Sequence, residues 1–147
     1  MSGSFELGTD GPSRILVGID GSESSMRAGA YAAGLARRQG AALVAVYVRT
    51  TPAAAGMAAT AGAVRITQDE VVAEVRASIA DGLKHVGIGA EFVERAGNPY
   101  KELLAVAHEL KVDAIVVGAS TQAGHRIVGS LAGRLVRDAA WPVTVVP

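Results

Sequence analysis

The stretch Arg14-Ile15-Leu16-Val17-Gly18-Ile19-Asp20-Gly21-Ser22 decides how this chain folds. From Ile15 to Ile19 no polar residue interrupts the run. A strand with one wet face alternates apolar and polar residues. A strand covered on both faces does not, and such strands occur in parallel sheets sandwiched between helices. Asp20, Gly21 and the serines from Ser22 to Ser25 then break the run, supplying turn formers and helix caps. From about Ser24 to Gln39 the Ala, Leu and Tyr residues recur at helical spacing. Gly40, following the basic pair Arg37-Arg38, marks a helix end.

The same unit recurs along the chain. Ala42 to Val48 reads as a second buried strand, and Thr51 to Ala63 as a long loop of small residues around Met57. A loop of that length in a compact domain is usually functional or mobile. Ile66 to about His85 reads as a helix with Val71, Val75, Ile79 and Leu83 four apart. Glu91 to Arg95 alternates and reads as a half-exposed edge strand. Asn98-Pro99 caps and starts a helix that runs to about Leu110. Ala114 to Val117 is a fourth strand, Gly129 to Ala140 a fourth helix and Val143 to Val146 a fifth strand. Strands alternating with crossover helices predict right-handed βαβ units in a three-layer, doubly wound, five-stranded parallel sheet. An order of 3-2-1-4-5 is expected. A half-Rossmann domain with another strand order has the same periodicity, and at this point both stand. Residues 1–13, rich in Gly, Ser and Thr, read as a flexible tail before a single domain spanning 14–147.

Composition narrows the function classes. The 147 residues suit one core, and with one Trp, three Tyr and two Phe that core is built from Val, Ile, Leu and Ala. Fourteen basic residues balance fourteen acidic ones and neither sign is concentrated, which argues against a nucleic-acid or anionic-membrane partner. The absence of cysteine excludes disulfides, thiolate catalysis and cysteine metal sites. No apolar run approaches the ~20 residues that span a bilayer, and no basic segment leads into a hydrophobic one at the N-terminus. A cytoplasmic location is the expectation.

In an open doubly wound sheet, ligands bind beyond the carboxyl ends of the strands where the strand order reverses. With the expected order, that point lies between the first and fourth strands. Two segments meet there: Gly18-Ile19-Asp20-Gly21-Ser22, and the loop from Gly118 through Thr121 and Gly124 to Gly129-Ser130. Unpaired N–H groups at the helix start after Gly129, with the positive end of the helix dipole, suit a phosphate. The same glycines also serve simple turns, and Ser130 reads equally as an N-cap. Neither Gly-x-Gly-x-x-Gly nor Gly-Lys-Ser/Thr occurs, so dinucleotide and Walker-type fingerprints are missing. Asp20 is a candidate ligand residue or a turn carboxylate. His125 and Arg126 are candidate phosphate partners or a solvated loop pair. His85 and His108 fall near helix ends and read as surface histidines; Arg134 and Arg137, three apart, read as a solvated helix face. Ser120, Thr121 and Ser130 lack a His/Asp partner for a nucleophilic triad, so an efficient hydrolase is not expected.

Several of these pieces together resemble the universal stress protein family. They are Ile15-Leu-Val-Gly-Ile-Asp-Gly-Ser22, Gly97-Asn-Pro99, Asp113-Ala-Ile-Val-Val-Gly118, Gly129-Ser130 and Trp141-Pro-Val-Thr-Val-Val146. The likeness covers nearly the whole chain from Arg14 onward. It implies an adenine nucleotide alpha hydrolase-like fold, a stress-response role and, in one branch of the family, ATP in the switch-point crevice, with Mg or Mn as an accompanying cation. Carried over by position, Gly18, Ile19 and Asp20 would meet the adenosine part, with Asp20 also helping to place a cation. Val48 would face adenine through its backbone and Gly118 would lie against the ribose. Thr121, Gly124, Gly129, Ser130, Leu131 and Ala132 would surround the phosphates.

The family pattern is Gly-x2-Gly-x9-Gly-Ser/Thr. Here its second glycine is Thr121, and seven residues, not nine, separate it from Gly129. A β-branched residue forced to positive φ costs at least ~1–2 kcal/mol, and two fewer residues shorten the reach by roughly 7 Å. The loop should therefore enclose less of a polyphosphate, with Gly124 as the replacement for close backbone approach. The last strand, Val143 to Val146, is an apolar edge with nothing to blunt it, so a twofold homodimer through that edge is expected, as in the family. Two functional readings follow. One is an adenine-nucleotide-binding stress protein with little or no hydrolysis. The other is a nucleotide-independent dimeric adaptor that contacts a client protein.

Overall fold

The computed structural model describes residues 11–50, 61–119 and 130–147, with 61–67 given by their backbone. Nine elements alternate along it: β1 (Arg14–Gly18), α1 (Glu23–Gln39), β2 (Ala42–Arg49), α2 (Ala61–Leu83), β3 (Ala90–Ala96), α3 (Pro99–Glu109), β4 (Ala114–Gly118), α4 (Ser130–Asp138) and β5 (Val143–Val146). The strands form one sheet in the order β3-β2-β1-β4-β5. Every pair is parallel. The expected order is the one found, and the half-Rossmann alternative falls away.

The unbroken apolar run of β1 has the cause inferred for it. Ile15, Leu16 and Val17 are all fully buried. Ile15 and Val17 point into a cluster with Ala28, Ala32 and Ala36 of α1 and Val75 of α2. Leu16 points the other way, to Leu103 and Val106 of α3 and Leu135 of α4. Two helices therefore cover each face, and the alternation of side chains along the strand divides the core in two.

The helix ends follow local chemistry. The Ser22 hydroxyl caps α1 by accepting the Ser25 N–H at 3.2 Å. Glu23 sits in the first turn, Arg37 and Arg38 in the last, and Gly40 closes the helix at φ 66°. Asn98 caps α3 through the Lys101 N–H at 3.1 Å, with Pro99 in the first turn. The second helix begins earlier than its apolar period suggests, at Ala61 and not Ile66. The segment Ala61–Ala63, expected to be loop, is helical, and Val72 joins the core beside Val75. Ala61 and Ala63 favour helix but Gly62 does not, and so short a stretch of small residues shows no helical period in the sequence. The rest of the expected loop, residues 51–60 with Met57, lies outside the described residues. The fourth helix ends at Asp138, two residues before Ala140, because Pro142 drives the preceding backbone away from helix.

Side-chain ties lock the layers together. The Trp141 indole N–H donates to the Val112 carbonyl at 2.9 Å, and its ring meets exposed His108 edge-on at 4.7 Å. Arg134 is exposed, as its solvated-face reading expects, and its guanidinium also stacks 3.9 Å over the Tyr100 ring and so ties α4 to α3. Arg137 likewise faces solvent and pairs with neighbouring Asp138. At the amino end, the Ser13 N–H, the Ser13 hydroxyl and the Arg14 N–H all donate to one Asp113 oxygen, at 2.8, 2.9 and 3.1 Å. Among the described residues no helix is long and apolar enough to cross a membrane.

Candidate functional site

The strands end unevenly at their carboxyl side, and that unevenness makes a cleft. In the β1–β2 register Gly18 stands opposite Val46, so β2 continues for three residues, Tyr47 to Arg49, after β1 has stopped. The Ile19 N–H makes the last bond across this pair, to the Val46 carbonyl at 2.9 Å. On the other side of β2, the Gly97 N–H reaches the Arg49 carbonyl at 2.8 Å. In a parallel ladder, successive residues bond to opposite neighbours. These two bonds therefore fix the phase: Tyr47 and Arg49 serve β3, while Val48 turns its N–H and C=O towards the missing continuation of β1. Among the described residues neither group has a backbone partner on that side, so Val48 presents a donor beside an acceptor to the cleft.

The cleft at this place has a volume of about 470 Å³. Gly18, Ile19 and Val117 form its floor, Val48 and Thr50 one wall, and the starts of α1, α3 and α4 its rim. Three helix starts therefore converge on one opening, and each brings N–H groups and the positive end of a helix dipole. The Asp20 carboxylate faces the same space. One of its oxygens accepts the Ser22 N–H at 2.9 Å, while the Asp20 N–H donates to the Ser25 hydroxyl at 3.2 Å. Asp20 thus does the work of a turn carboxylate and still lines the cleft; it is the one carboxylate among the described lining residues. No cluster of three or more His, Cys, Asp or Glu able to hold a metal occurs among the described residues.

Of the residues singled out from sequence, Gly18, Ile19, Asp20, Val48, Gly118, Ser130, Leu131 and Ala132 all line this cleft. Thr121, Gly124 and Gly129, together with Ser120, His125 and Arg126, lie outside the described residues. Gly118 has a packing reason for lacking a side chain. A Cβ built on it would stand 2.5 Å from the Ser24 carbonyl carbon and 2.6 Å from the Ser25 nitrogen. Bringing β4 this close to α1 is what sets the α1 start at the rim.

Ser22, already placed at this point by the sequence reading, lines the cleft too, whereas the contributions of Ser24, Ser25, Thr50 and Asn98 were missed. The serines and Asn98 were visible as caps. The available signal was the rule that every strand-to-helix turn of a parallel sheet emerges at the same end. Thr50 carried no such signal. Its place in the wall depends on how far β2 overhangs β1, which only register reveals. A second cavity of about 400 Å³ lies between α1 and α2, on the other side of Ile19, among Ala33, Gly34, Ile79, Gly82 and other mostly apolar residues. Its polar side chains are Arg37 and Ser78, with no carboxylate and no helix start of the kind that rims the first cleft.

Known proteins carry the same architecture. A universal stress protein from Methanocaldococcus jannaschii is 29% identical over 142 residues, covering 90% of this chain and 81% of the relative. A universal stress protein solved in complex with cAMP superposes with a TM-score of 0.62 at 24% identity, over 92% of this chain and 97% of that one. The universal stress protein from Archaeoglobus fulgidus solved in complex with dAMP gives 0.66 at 21% identity, over 91% and 97%. These two structural likenesses concern the fold. The profile of the universal stress protein family matches residues 12–147, and over that span the chain belongs to the universal stress protein family.

Proposed function

We propose that the cleft binds an adenine nucleotide, ATP foremost, as part of a stress-response role in the cytoplasm, with little or no hydrolysis. The observation that carries this reading is the Val48 donor–acceptor pair, unmatched among the described residues, facing three converging helix starts across a cleft of about 470 Å³. A purine edge with an acceptor beside an amino group complements the Val48 N–H and C=O, and the start of α4 complements phosphate. The volume lies within the ~300–1,000 Å³ common for small-molecule sites. Two relatives of the same fold were solved with cAMP and with dAMP, which share adenine and a phosphate. In this reading Asp20 helps to place a divalent cation indirectly, through the nucleotide's phosphates, while one of its oxygens accepts the Ser22 N–H.

Slow turnover is the expectation from the lining. Asp20 is the one carboxylate among the described residues there, and those residues include no histidine. General-base activation of water needs a basic group within hydrogen-bond reach of the attacking oxygen. The assembly that supports this role is a homodimer through β5. The Ile115 N–H bonds the Pro142 carbonyl and the Ala119 N–H bonds the Val146 carbonyl. By alternation, Val143 and Val145 therefore turn their N–H and C=O groups outward, ready for a second copy.

Thermal denaturation with and without Mg-ATP, AMP and cAMP tests the nucleotide reading. A ligand at a hundred times its Kd adds ~2.7 kcal/mol of stability. An unmoved transition at millimolar concentrations of all three removes nucleotide binding and leaves the dimeric adaptor reading in its place.

A further inference from the structure

We infer that Gln68 is a positioning residue for the nucleotide base, acting through Thr50; the inference rests on the nucleotide reading above. Thr50 is the next residue after Val48 whose backbone turns towards the open side of β2. Left alone, it would offer a second donor–acceptor pair on the same wall. Gln68 removes that pair. Its side-chain oxygen accepts the Thr50 N–H at 3.0 Å and its side-chain NH2 donates to the Thr50 carbonyl at 3.0 Å. The amide group thus imitates a neighbouring strand for one residue and closes the ladder.

The clasp is reinforced by the residues next to it. Arg49, adjacent to Thr50, pairs with Asp69, adjacent to Gln68, and also with Glu94 of β3 at 2.9 Å. Two consecutive residues at the exit of β2 are thereby held by two consecutive residues of α2. Val48 lies directly before this anchored pair, so its direction is fixed before any ligand arrives. A preformed donor–acceptor pair binds more tightly than one that must be ordered on binding, because immobilising one residue's backbone costs about 1–2 kcal/mol. Gln68 touches neither the base nor the phosphate in this arrangement. Its effect should therefore appear in the contribution of the base and not in that of the phosphate.

The test compares AMP with ribose 5-phosphate on wild-type protein and on Gln68→Met, which keeps the length of the side chain and removes both hydrogen bonds. Titration calorimetry gives the affinity advantage that the base confers, as the ratio of the two dissociation constants. The inference expects that ratio to fall about tenfold in Gln68→Met, with ribose 5-phosphate affinity nearly unchanged. Amide hydrogen exchange by NMR supplies a readout that mere destabilisation would not reproduce. The Thr50 N–H should be protected in wild type and exchange faster in the variant, while amides of β1 keep their protection. The Val48 N–H should gain protection from AMP and none from ribose 5-phosphate. Wild-type protein that binds AMP, with a ratio unchanged in Gln68→Met, overturns the role of Gln68 and leaves nucleotide binding standing. Wild-type protein that binds neither compound overturns both. Equal loss of affinity for the two compounds also overturns the inference, since it would mark a general distortion of the cleft.

Discussion

Gly118→Ala and Gly34→Ala make the same chemical change and should have opposite signs. At Gly118 the new Cβ would stand 2.5 Å from the Ser24 carbonyl carbon, 2.6 Å from the Ser25 nitrogen and 2.7 Å from the Ser24 oxygen. All three are backbone atoms, so no side chain can rotate away. Restoring ordinary contact requires β4 and the start of α1 to separate by about 1 Å, and both elements are locked into the sheet and its core. Overpacking of this kind costs about 1–3 kcal/mol. For a chain of this length, that lowers the melting temperature by roughly 2–12 °C. The displaced segment carries Ser22, Ser24 and Ser25 on the cleft rim, so nucleotide affinity should fall as well. At Gly34, inside α1, the new Cβ meets nothing within 4 Å. There the methyl group only restricts the unfolded chain and improves helix propensity, a gain of about 0.4–1 kcal/mol. Urea titrations monitored by circular dichroism should move the midpoint down for Gly118→Ala and up for Gly34→Ala, with the slope unchanged. A Gly118→Ala protein as stable as wild type would refute the close approach of β4 to α1, and with it the geometry of the cleft.

Three further outcomes are expected. Asp113→Asn probes the anchor of the amino end: burial pushes the Asp113 carboxyl up, but hydrogen bonds from Ser13 and Arg14 and the Arg14 charge outweigh it and hold the group below its ordinary range. The unfolded chain therefore takes up this proton first, near pH ~4, so the stabilisation is complete above that pH and is lost as pH falls through the native value. The stability gap between wild type and Asp113→Asn should be widest at neutral pH and close on acidification in urea titrations from pH 6 to 3. Val145→Pro removes an outward N–H from β5 while sparing the β4–β5 ladder. Sedimentation should show the dimer converting to monomer with the far-ultraviolet spectrum retained, and a monomeric wild type would exclude the β5 assembly. Trp141→Phe loses the 2.9 Å bond to the Val112 carbonyl. Leaving that carbonyl without its donor should cost about 1–3 kcal/mol in urea denaturation.

Much of the architecture was legible because burial on both faces writes a continuous apolar run, and β1, β2 and β4 all carry one. The caps Ser22 and Asn98 and the stop at Gly40 were equally visible, since each satisfies a specific helix-end group. The start of α2 was not, because the small residues Ala61-Gly62-Ala63 carry no apolar period in the sequence. The stacking of Arg134 on Tyr100 was hidden for another reason. It joins residues on two helices, and no spacing within either helix records the contact. The cleft was legible in outline from the strand order, but Thr50 and Gln68 were not. Their pairing follows from the overhang of β2 and from the direction of α2, both products of tertiary packing.

Glycine is the residue on which a phosphate-loop argument leans most, and Gly118 shows how such an argument can mislead. Contact with the Ser24–Ser25 backbone would require glycine there even in a chain that bound nothing. Asp20 is similar, since its carboxylate already closes a turn on the Ser22 N–H, and the Ser22 hydroxyl already caps α1. Packing and capping account for all three without a ligand. They do not account for Val48. A central strand built only for stability would end level with its neighbours, or would have its last polar groups covered. Here β2 outruns β1 by three residues. On its β3 side Arg95 and Ala96 complete the ladder, and on its β1 side Gln68 completes it at Thr50. Among the described residues the Val48 pair between those closures is left facing the cleft, and an unmatched pair on an interior strand is costly unless water or a ligand meets it. The case for a nucleotide therefore rests on the overhang of β2, and the exchange behaviour of the Val48 N–H with and without AMP is its most direct measure.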